Sequence, residues 1–291
     1  MNRIALFCCL ALPLSAQQLE LRFLDVGQAD AILVREGGKS ALIDAGGGVG
    51  VLAQLRRLGV DTIDLLVASH NHADHIGGMT GVLAGTVVRF YLDNGVPHTT
   101  ATYQRTIQAV AASGAQYLRP TARTITLGGA QLRVLPPPPP PNAGGQNNSS
   151  VGILVQYGEF RAVLTGDSEQ LELRYWLQHD SVPRVTVVKV GHHGSWNGTT
   201  IEWAQATRPE VAVISVGRGN TYGHPSAQVI ERWRSVGAMV YRTDQDGTVI
   251  VRANQDGSYI VLNERGLGPT PGAADPGAAP RGEPPPAAAK P

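Results

Sequence analysis

One short stretch of this chain carries four side chains of the kinds that bind metal ions. It reads His70-Asn71-His72-Ala73-Asp74-His75 and comes directly after the apolar residues 65–68. His70 and His72 are two residues apart, so in an extended or loop conformation both imidazoles can point the same way. Asp74 and His75 are adjacent and can reach a second point nearby. Imidazole and carboxylate suit zinc, iron or manganese, and a site left partly open by its protein ligands is a catalytic one.

Further polar residues follow apolar stretches that resemble β-strands. The carboxyl ends of strands are where α/β folds expose groups that bind ligands. Asp44, Asp167, the pair His192-His193 and His224 all come after such stretches. An aspartate in this position is, taken alone, more often a turn or helix-cap residue. Because all of these residues share the position, the pattern predicts that they converge on one rim of the fold.

The elements that must position these side chains are short strands, followed by alternating strands and helices. Three strands are predicted before residue 45, and a buried strand over 64–69 leads into the histidine-rich loop. Helices are predicted over 51–58, over 99–112 and from Ser168 to about His179, with Ser168 as the N-cap. Later strands are expected over 185–190, 211–216, 239–242, 248–252 and 259–262. This order predicts an α/β protein.

The composition is that of an ordinary globular protein. The chain has 291 residues, 42% hydrophobic content and a formal net charge of +1. Such a near-neutral balance gives no global argument for nucleic acid or for acidic partners, although it does not exclude a local basic groove. No protein partner is evident from the sequence.

The N-terminus has the features of a secretory signal peptide over residues 1–16. Met1-Asn2-Arg3 is a short positive start, an apolar core follows, and Leu14-Ser15-Ala16 resembles a cleavage site. The apolar run is too short to span a membrane. An uncleaved anchor or a buried first strand is the alternative. We therefore predict an exported protein, periplasmic or extracellular, with no membrane span in the mature chain.

Both cysteines, Cys8 and Cys9, lie inside the predicted signal peptide. The mature chain would then contain no thiolate that could bind a metal ion or attack a substrate. Any metal ion must be held by His, Asp, Glu or Asn.

Two tracts of low complexity mark the limits of ordered structure. Residues 136–141 are a polyproline tract, which cannot join the interior of a sheet and is predicted to be a surface spacer. Residues 266–291 are rich in Pro, Ala and Gly and cannot bury enough apolar surface to fold. The prediction is one folded domain over 19–265, followed by a disordered tail.

Several strings together resemble a known family. They are Phe23-Leu24-Asp25-Val26-Gly27-Gln28-Ala29-Asp30-Ala31, Leu42-Ile43-Asp44-Ala45-Gly46, the stretch over 69–78, Leu164-Thr165-Gly166-Asp167, Val188-Lys189-Val190-Gly191-His192-His193-Gly194-Ser195 and Tyr222-Gly223-His224-Pro225-Ser226. The chain resembles the metallo-β-lactamase superfamily, and in particular the hydrolase domain of ComEC-type competence proteins. The resemblance implies a four-layer αββα sandwich with one or two divalent metal ions, zinc or manganese, at its edge.

The resemblance also implies roles for individual residues. His70 and His72 would hold a first metal ion, Asp74 and His75 a second, and Asp167 would bridge both. Either His193 or His224 would be the last ligand, and the sequence does not decide between them. The implied supporting and reactive residues are Asp44, which would hold the metal loop by hydrogen bonds, and Asp74, His192 and His224, which would orient water or act on the leaving group.

The chain departs from this family pattern in two ways. Many superfamily hydrolases have one more histidine on the first metal ion, between the HxHxDH loop and the bridging aspartate. Asn147 and Asn148 stand at that place here, and His98 is the other nearby histidine. The resemblance therefore predicts that the first metal site is one ligand short. ComEC-type proteins also join this domain to a membrane channel, whereas this chain is predicted to be a stand-alone exported relative.

The function that follows is hydrolysis of a phosphodiester, small or nucleic acid, by a nuclease-like or phosphorylcholine-esterase-like enzyme. Predicted substrate contacts are Asn148, Ser149, Ser195 and Arg218, while Lys189 is expected to face away from the site as a strand residue. A lactonase or a β-lactamase on the same scaffold is one alternative, because fold analogy cannot choose a substrate. A metal-binding protein without catalysis is another.

Overall fold

The computed structural model describes residues 18–140 and 142–266, together with the backbone of Thr270–Pro271. The strands, in chain order, are β1 (Leu19–Phe23), β2 (Ile32–Glu36), β3 (Lys39–Ile43), β4 (Thr62–Val67), β5 (Val87–Leu92), β6 (Gln116–Leu118), β7 (Arg123–Leu127), β8 (Ala130–Leu135), β9 (Gly152–Tyr157), β10 (Phe160–Leu164), β11 (Val187–Lys189), β12 (Val211–Ile214), β13 (Met239–Arg242), β14 (Val249–Ala253), β15 (Tyr259–Asn263) and β16 (Thr270–Pro271).

The helices lie between these strands. They are α1 (Gly50–Arg57), α2 (Ala73–Ile76), α3 (Met79–Gly85), α4 (Ala101–Ser113), α5 (Gln170–Gln178), α6 (Ile201–Thr207), α7 (Ala227–Ser235) and α8 (Thr243–Asp246). A single 3-10 turn, Asn147–Ser149, and a tight turn over Gly191–Gly194 complete the regular structure of the described residues.

The strands form two mixed sheets. The first has the order β16-β15-β14-β1-β2-β3-β4-β5-β6, and the second has the order β13-β12-β11-β10-β9-β8-β7. In the first sheet β3, β4, β5 and β6 run parallel, and in the second β10, β11, β12 and β13 do. The carboxyl ends of each parallel set therefore lie along one edge of their sheet, where loops can bring polar side chains together.

Three apolar layers hold the two sheets and the helices together. The central layer alternates along each strand, as Leu19, Leu21 and Phe23 show, and it joins the inner faces of both sheets. A second layer packs α1 and α3 on the outer face of the first sheet. A third packs α5, α6 and α7 on the second sheet around Trp176, Trp203 and Trp233. This is an αββα sandwich, so the predicted fold class is confirmed.

Most predicted elements are present, but the predicted start of α5 is wrong. The helix begins at Gln170, with Glu169 rather than Ser168 at the N-cap. The hydroxyl of Ser168 donates to the carbonyl of Thr165 at 2.5 Å, so it is turned back toward β10. Ser168 is buried there and is not available to cap the helix.

The predicted signal peptide over 1–16 lies outside the described residues, as does most of the predicted tail. Thr270–Pro271, within that predicted tail, pair with β15 as a short antiparallel strand. The predicted domain limits stay predictions. No helix of the described part of the chain is both long and apolar enough to cross a membrane.

The contact between the histidine-rich loop and the loop after β3 leaves no room for a side chain at Gly78. A Cβ atom there would overlap the carbonyl oxygens of Ala45 and Gly48. We expect Gly78→Ala to lower the free energy of unfolding in urea by about 2–3 kcal/mol, as overpacking does. Gly81, inside α3, has open space around its Cβ position, so Gly81→Ala is the control and should be neutral or stabilise by up to about 1 kcal/mol. Equal effects of the two variants would contradict this account.

Candidate metal centre

The carboxyl ends of β3, β4, β10 and β11 meet at one edge of the sandwich. Asp44 follows β3, the stretch from His70 to His75 follows β4, Asp167 follows β10, and His192-His193 follow β11. The structure therefore brings together residues that are far apart in the chain and that the sequence placed after strands. The polar side chains among them are all buried except those of His72, Asp74 and His192.

A single helical turn, α2, orients two of the metal-type ligands. The turn begins after His72, which is extended, and it contains Asp74 and His75. Backbone hydrogen bonds hold its position: Asp30 donates to the carbonyl of Asp74 at 3.2 Å, and Ala45 donates to that of His75 at 2.7 Å. The loop after β4 is thus fixed to the loops that flank β2 and β3.

Four residues form the tightest cluster of possible ligands. Asp74, His75, Asp167 and His193 each offer one ligand atom, and these atoms all lie within 4.8 Å of one another. Oδ2 of Asp167 is 3.3 Å from Nε2 of His75 and 3.6 Å from Nε2 of His193. Nε2 of His193 is also 3.3 Å from Oδ2 of Asp74. We call these four residues the main cluster.

His70 and His72 form a second group of possible ligands near Asp167, and the ring of His70 lies 4.1 Å from that of His75, measured between centroids. Nε2 of His70 is 3.0 Å from Nδ1 of His72 and 3.9 Å from Oδ2 of Asp167. The ring of His98 lies 5.6 Å from that of His72, measured between centroids. Asp167 is therefore near both groups, as a bridging carboxylate must be.

The donor atoms of the main cluster fit a divalent metal ion. Nδ1 of His75 lies 2.8 Å from Asp44, and Nδ1 of His193 lies 2.9 Å from the carbonyl oxygen of Ser215. Nδ1–H donation to these oxygens leaves Nε2 of both rings free to bind a metal ion. Both Nε2 atoms and Oδ1 of Asp167 are buried without a hydrogen-bond partner among the described residues. Nitrogen and oxygen donors without sulfur suit zinc, iron or manganese.

Three residues of the site have a left-handed backbone, which is rare for residues other than glycine. The φ angles are +61° at Asp44, +49° at His192 and +51° at His193. Such conformations cost roughly 1–3 kcal/mol each and persist where the surrounding structure imposes them. The left-handed conformations of His192 and His193 set the direction of both side chains in the loop after β11.

The electrostatics of the site favour bound positive charge. Burial raises the pKa of Asp74, but the nearby imidazoles of His193 and His75 outweigh it and lower that pKa to about 2. Burial lowers the pKa of His193, but Asp167 and Asp30 outweigh it and raise that pKa to about 10. Without a metal ion, protons on the histidines balance the carboxylates. A metal ion would release these protons on binding.

Lys189 does not face away from the site, so that prediction is wrong. The side chain is fully buried, forms an ion pair with Asp30, and donates to the carbonyl of Gly166 at 2.8 Å. Its Nζ lies 3.8 Å from Oδ1 of Asp167. Both faces of a parallel strand are covered, so alternation along β11 gave no reason to place Lys189 outside. The buried ammonium group of Lys189 therefore stabilises the carboxylate of Asp167 from the protein interior, where a substrate cannot contact it.

Asp30 and Glu169 also belong to the site, although neither was predicted from the sequence to have a role there. Asp30 stands in the string that carried the family resemblance, and its carboxylate lies 3.4 Å from Nδ1 of His193. Glu169 lies 3.1 Å from Nδ1 of His192 and accepts hydrogen bonds from Asn147 and Asn148 at 2.9 and 3.0 Å. The position of Glu169 two residues after Asp167 was the available signal.

The predicted substrate contacts lie in different surroundings. Asn148 is buried and bonds Glu169, the carbonyl of Gly144 and the N–H of Glu172. Ser149 and Ser195 are also buried. Arg218 is exposed and donates to the carbonyl of Asp244. These contacts hold the loops together, and none of them joins Arg218 to the main cluster.

His193 and His224 differ clearly in position. His193 belongs to the main cluster, whereas the ring of His224 is 5.8 Å from that of His192 and stacks on Tyr222. Asn147 is at the place of the expected third histidine, and its Nδ2 lies 3.5 Å from Nε2 of His192. Its Oδ1 is buried without a hydrogen-bond partner among the described residues.

The fold and this cluster define the class of protein as a metal-dependent hydrolase. The profile of the Metallo-beta-lactamase superfamily matches residues 24–218, so the chain belongs to that superfamily. The predictions of the family and of an enzyme of this class are confirmed at this level. The identity of the metal ion stays a prediction.

Curated relatives match most of this chain but extend well beyond it. Recombination protein 2 of Haemophilus influenzae is 30% identical over 248 residues, which are 80% of this chain and 29% of that protein. ComE operon protein 3 of Bacillus subtilis is 28% identical over 83% of this chain and 34% of its own length. The chain thus spans about a third of these relatives, which supports the ComEC-type resemblance for this part alone.

Solved structures share the fold at low sequence identity. The metallo-beta-lactamase fold protein YhfI from Bacillus subtilis is 12% identical with a TM-score of 0.55, and the match covers 82% of this chain and all of that one. The metallo hydrolase Igni18 from Ignicoccus hospitalis is 16% identical with a TM-score of 0.53, over 79% of this chain and 98% of that one. At these identities the likeness shows the fold alone.

The buried pair of Lys189 and Asp30 predicts a large effect on stability. Lys189→Met leaves the carboxylate of Asp30 buried without its cation, so we expect a loss of about 3–5 kcal/mol in urea unfolding of metal-free protein. The double variant Asp30→Asn/Lys189→Met should recover most of it. Lys39→Met is the control, because the Lys39–Asp64 pair is partly exposed and should cost less than about 1 kcal/mol. If Lys189→Met lowered the free energy of unfolding by less than about 1 kcal/mol, as expected for Lys39→Met, the role given to the Lys189–Asp30 pair would be contradicted.

Proposed function

We propose that this chain is an exported metal-dependent phosphodiesterase, either nuclease-like or phosphorylcholine-esterase-like. The observation that carries the proposal is the main cluster with its partnerless, buried Nε2 atoms of His75 and His193. Asp74, His75, Asp167 and His193 would hold one metal ion. His70, His72 and Asp167 would hold a second.

Metal ions at this place would lower the pKa of a water molecule and neutralise charge on phosphoryl oxygens. The chain's own residues then have separate parts. Asp74 is the most exposed carboxylate of the cluster and can orient the attacking water by accepting a hydrogen bond from it. Asp44 and the carbonyl of Ser215 keep the rings of His75 and His193 in one orientation. Lys189, which is paired with Asp30, lies 3.8 Å from Oδ1 of Asp167 and helps to hold that carboxylate in place.

His192 is the residue we assign to the leaving group. Glu169 holds its Nδ1, so its Nε2 is turned toward Asp167, 3.9 Å away. A proton held on Nε2 can pass to the oxygen that leaves as the phosphodiester bond breaks. His224 lies beside His192 and can contact the same part of a substrate.

A phosphodiester is favoured over a lactone or a β-lactam by two observations. Two relatives have names that refer to recombination and competence rather than to lactam or lactone chemistry: Recombination protein 2, and Competence protein ComA of Neisseria gonorrhoeae, which is 29% identical over 77% of this chain and 30% of its own length. The third histidine expected on the first metal ion is replaced by Asn147, which leaves that side open to a ligand of the substrate. A lactonase or β-lactamase activity stays the alternative, and a metal-binding protein without catalysis is the third.

Export and domain limits belong to this proposal as well. The features of residues 1–16 support removal of a signal peptide and a periplasmic or extracellular location. The composition of residues 266–291 supports a tail outside the domain of residues 19–265.

Removal of the metal ion should abolish the activity. We expect the full chain to hydrolyse bis-p-nitrophenyl phosphate, to lose this activity in EDTA, and to regain it with Mn²⁺ or Zn²⁺. Asp167→Ala should lower kcat/KM by about 100-fold or more, since a bound metal ion contributes several kcal/mol to the transition state. Asp256→Asn, an exposed carboxylate in a turn, is the control and should leave kcat/KM unchanged.

The same assay with other substrates separates the alternatives. Single-stranded DNA and phosphorylcholine esters test the two phosphodiesterase readings, while nitrocefin and acyl-lactones test the other hydrolases. Turnover of a lactam or lactone alone would refute the proposed substrate class. Phosphodiester hydrolysis that survives both EDTA and Asp167→Ala would refute the mechanism.

A further inference from the structure

A groove of about 600 Å³ lies next to Glu169, the residue that contacts His192. The polyproline segment, helix α5 and the loop after His193 form its walls. The residues used below are Glu169, Arg174, Tyr175, Trp196 and Asn197. Its volume is within the range of pockets that bind small molecules or single units of a polymer.

Trp196 is the unusual residue of this groove. Its side chain is 60% exposed, whereas Trp176, Trp203 and Trp233 are buried in the core. The loop that carries it is held firmly, because Arg232 donates to the carbonyl oxygens of Trp196 and Thr199. A large aromatic ring on a fixed loop at the edge of a reactive site offers a flat surface for stacking.

The groove reaches the residue that we assign to the leaving group. Glu169 lines the groove and lies 3.1 Å from Nδ1 of His192. Tyr222 is a second exposed aromatic residue near this histidine. It stacks on His224, whose ring is 5.8 Å from that of His192. Tyr222 is 71% exposed. A chain-like substrate whose phosphodiester lies at His192 would therefore meet aromatic rings on its neighbouring units.

The charges of the groove identify the kind of unit that fits. Arg174 is exposed and forms no ion pair with any described residue, so it can contact a phosphate. The carboxylate of Glu169 is engaged by His192, Asn147 and Asn148, and so is not available to a ligand cation. Oδ1 of Asn197 is buried without a hydrogen-bond partner among the described residues and can accept from a base edge. A quaternary ammonium group would meet Arg174 and find no free carboxylate.

We propose that this groove binds a nucleobase of a single-stranded nucleic acid, stacked on Trp196, next to the phosphodiester that lies at His192. The groove then favours the nuclease-like form of the proposed function over the phosphorylcholine-esterase-like form. This inference rests on the proposed function for the position of the phosphodiester. Stacking itself does not require hydrolysis or a metal ion, because every base has an aromatic face.

Intrinsic fluorescence tests the proposal without any turnover. Trp196 is the exposed tryptophan of the four in the chain, so long-wavelength emission reports on it. Titration of the full chain in EDTA with a single-stranded oligothymidine should quench that emission. A duplex of equal length should quench much less, since its bases are already stacked. Phosphorylcholine should not quench it.

Two substitutions at Trp196 sharpen the test. Trp196→Ala should weaken oligothymidine binding by about 5- to 100-fold, the usual effect of removing one stacking ring, whereas Trp196→Phe should keep most of the affinity. Val87→Ala is the matched control, because Val87 is an exposed apolar residue at the opposite end of the parallel strands. Val87→Ala should bind oligothymidine and hydrolyse bis-p-nitrophenyl phosphate as the unaltered chain does.

The outcomes separate this inference from the proposed function. Quenching by the single strand, with weakened binding in Trp196→Ala, supports the subsite even if the small phosphodiester is not hydrolysed. Hydrolysis of the small phosphodiester with no quenching by oligothymidine, or with unchanged affinity in Trp196→Ala, overturns the subsite and leaves the phosphodiesterase intact. Quenching by phosphorylcholine in place of the oligonucleotide would also overturn it.

Discussion

The carboxylate of Asp44 holds together the loops on which the site depends. It accepts hydrogen bonds from the backbone N–H and the hydroxyl of Ser69, both at 2.7 Å, and lies 2.8 Å from Nδ1 of His75. One buried group thereby joins the end of β3 to the end of β4 and to the helical turn after it. Because Nδ1 of His75 is engaged in this way, Nε2 is the nitrogen that faces Asp167.

The site also buries several carboxylates close together, and a protein interior tolerates such charges only when opposite charges compensate them. Asp30, Asp44 and Asp167 are buried within a small volume, and Lys189 is the buried cation among them. Unpaired buried charges are costly, so this arrangement requires further positive charge, from protons on the histidines or from a metal ion. The left-handed backbone at His192 and His193 adds local strain at the same place. A divalent cation would satisfy the carboxylates and the free Nε2 atoms together.

The sequence predicted those parts of the site that depend on short-range spacing. The His70–His75 loop is one such part, and the fold class followed from strings spread along the chain. The ion pair of Asp30 with Lys189 and the contact of Glu169 with His192 join distant segments, and no local pattern reports such pairs. The N-cap of α5 is Glu169 rather than Ser168, because the hydroxyl of Ser168 donates to the carbonyl of Thr165 instead. Serine hydroxyls can bond to nearby backbone groups in more than one way, so residue type alone does not fix the cap.

The most direct test of this account is the metal affinity of Asp44→Asn, measured by calorimetric titration of Zn²⁺ or Mn²⁺ into metal-free protein. The role assigned to Asp44 is support rather than metal binding, because its contact with Nδ1 of His75 sets which nitrogen of that ring is free. The account predicts that the unaltered chain binds the metal ion and that Asp44→Asn binds it about 10- to 100-fold more weakly, as loss of such a supporting carboxylate does. Unchanged affinity in Asp44→Asn, or no metal binding by the unaltered chain, would contradict it.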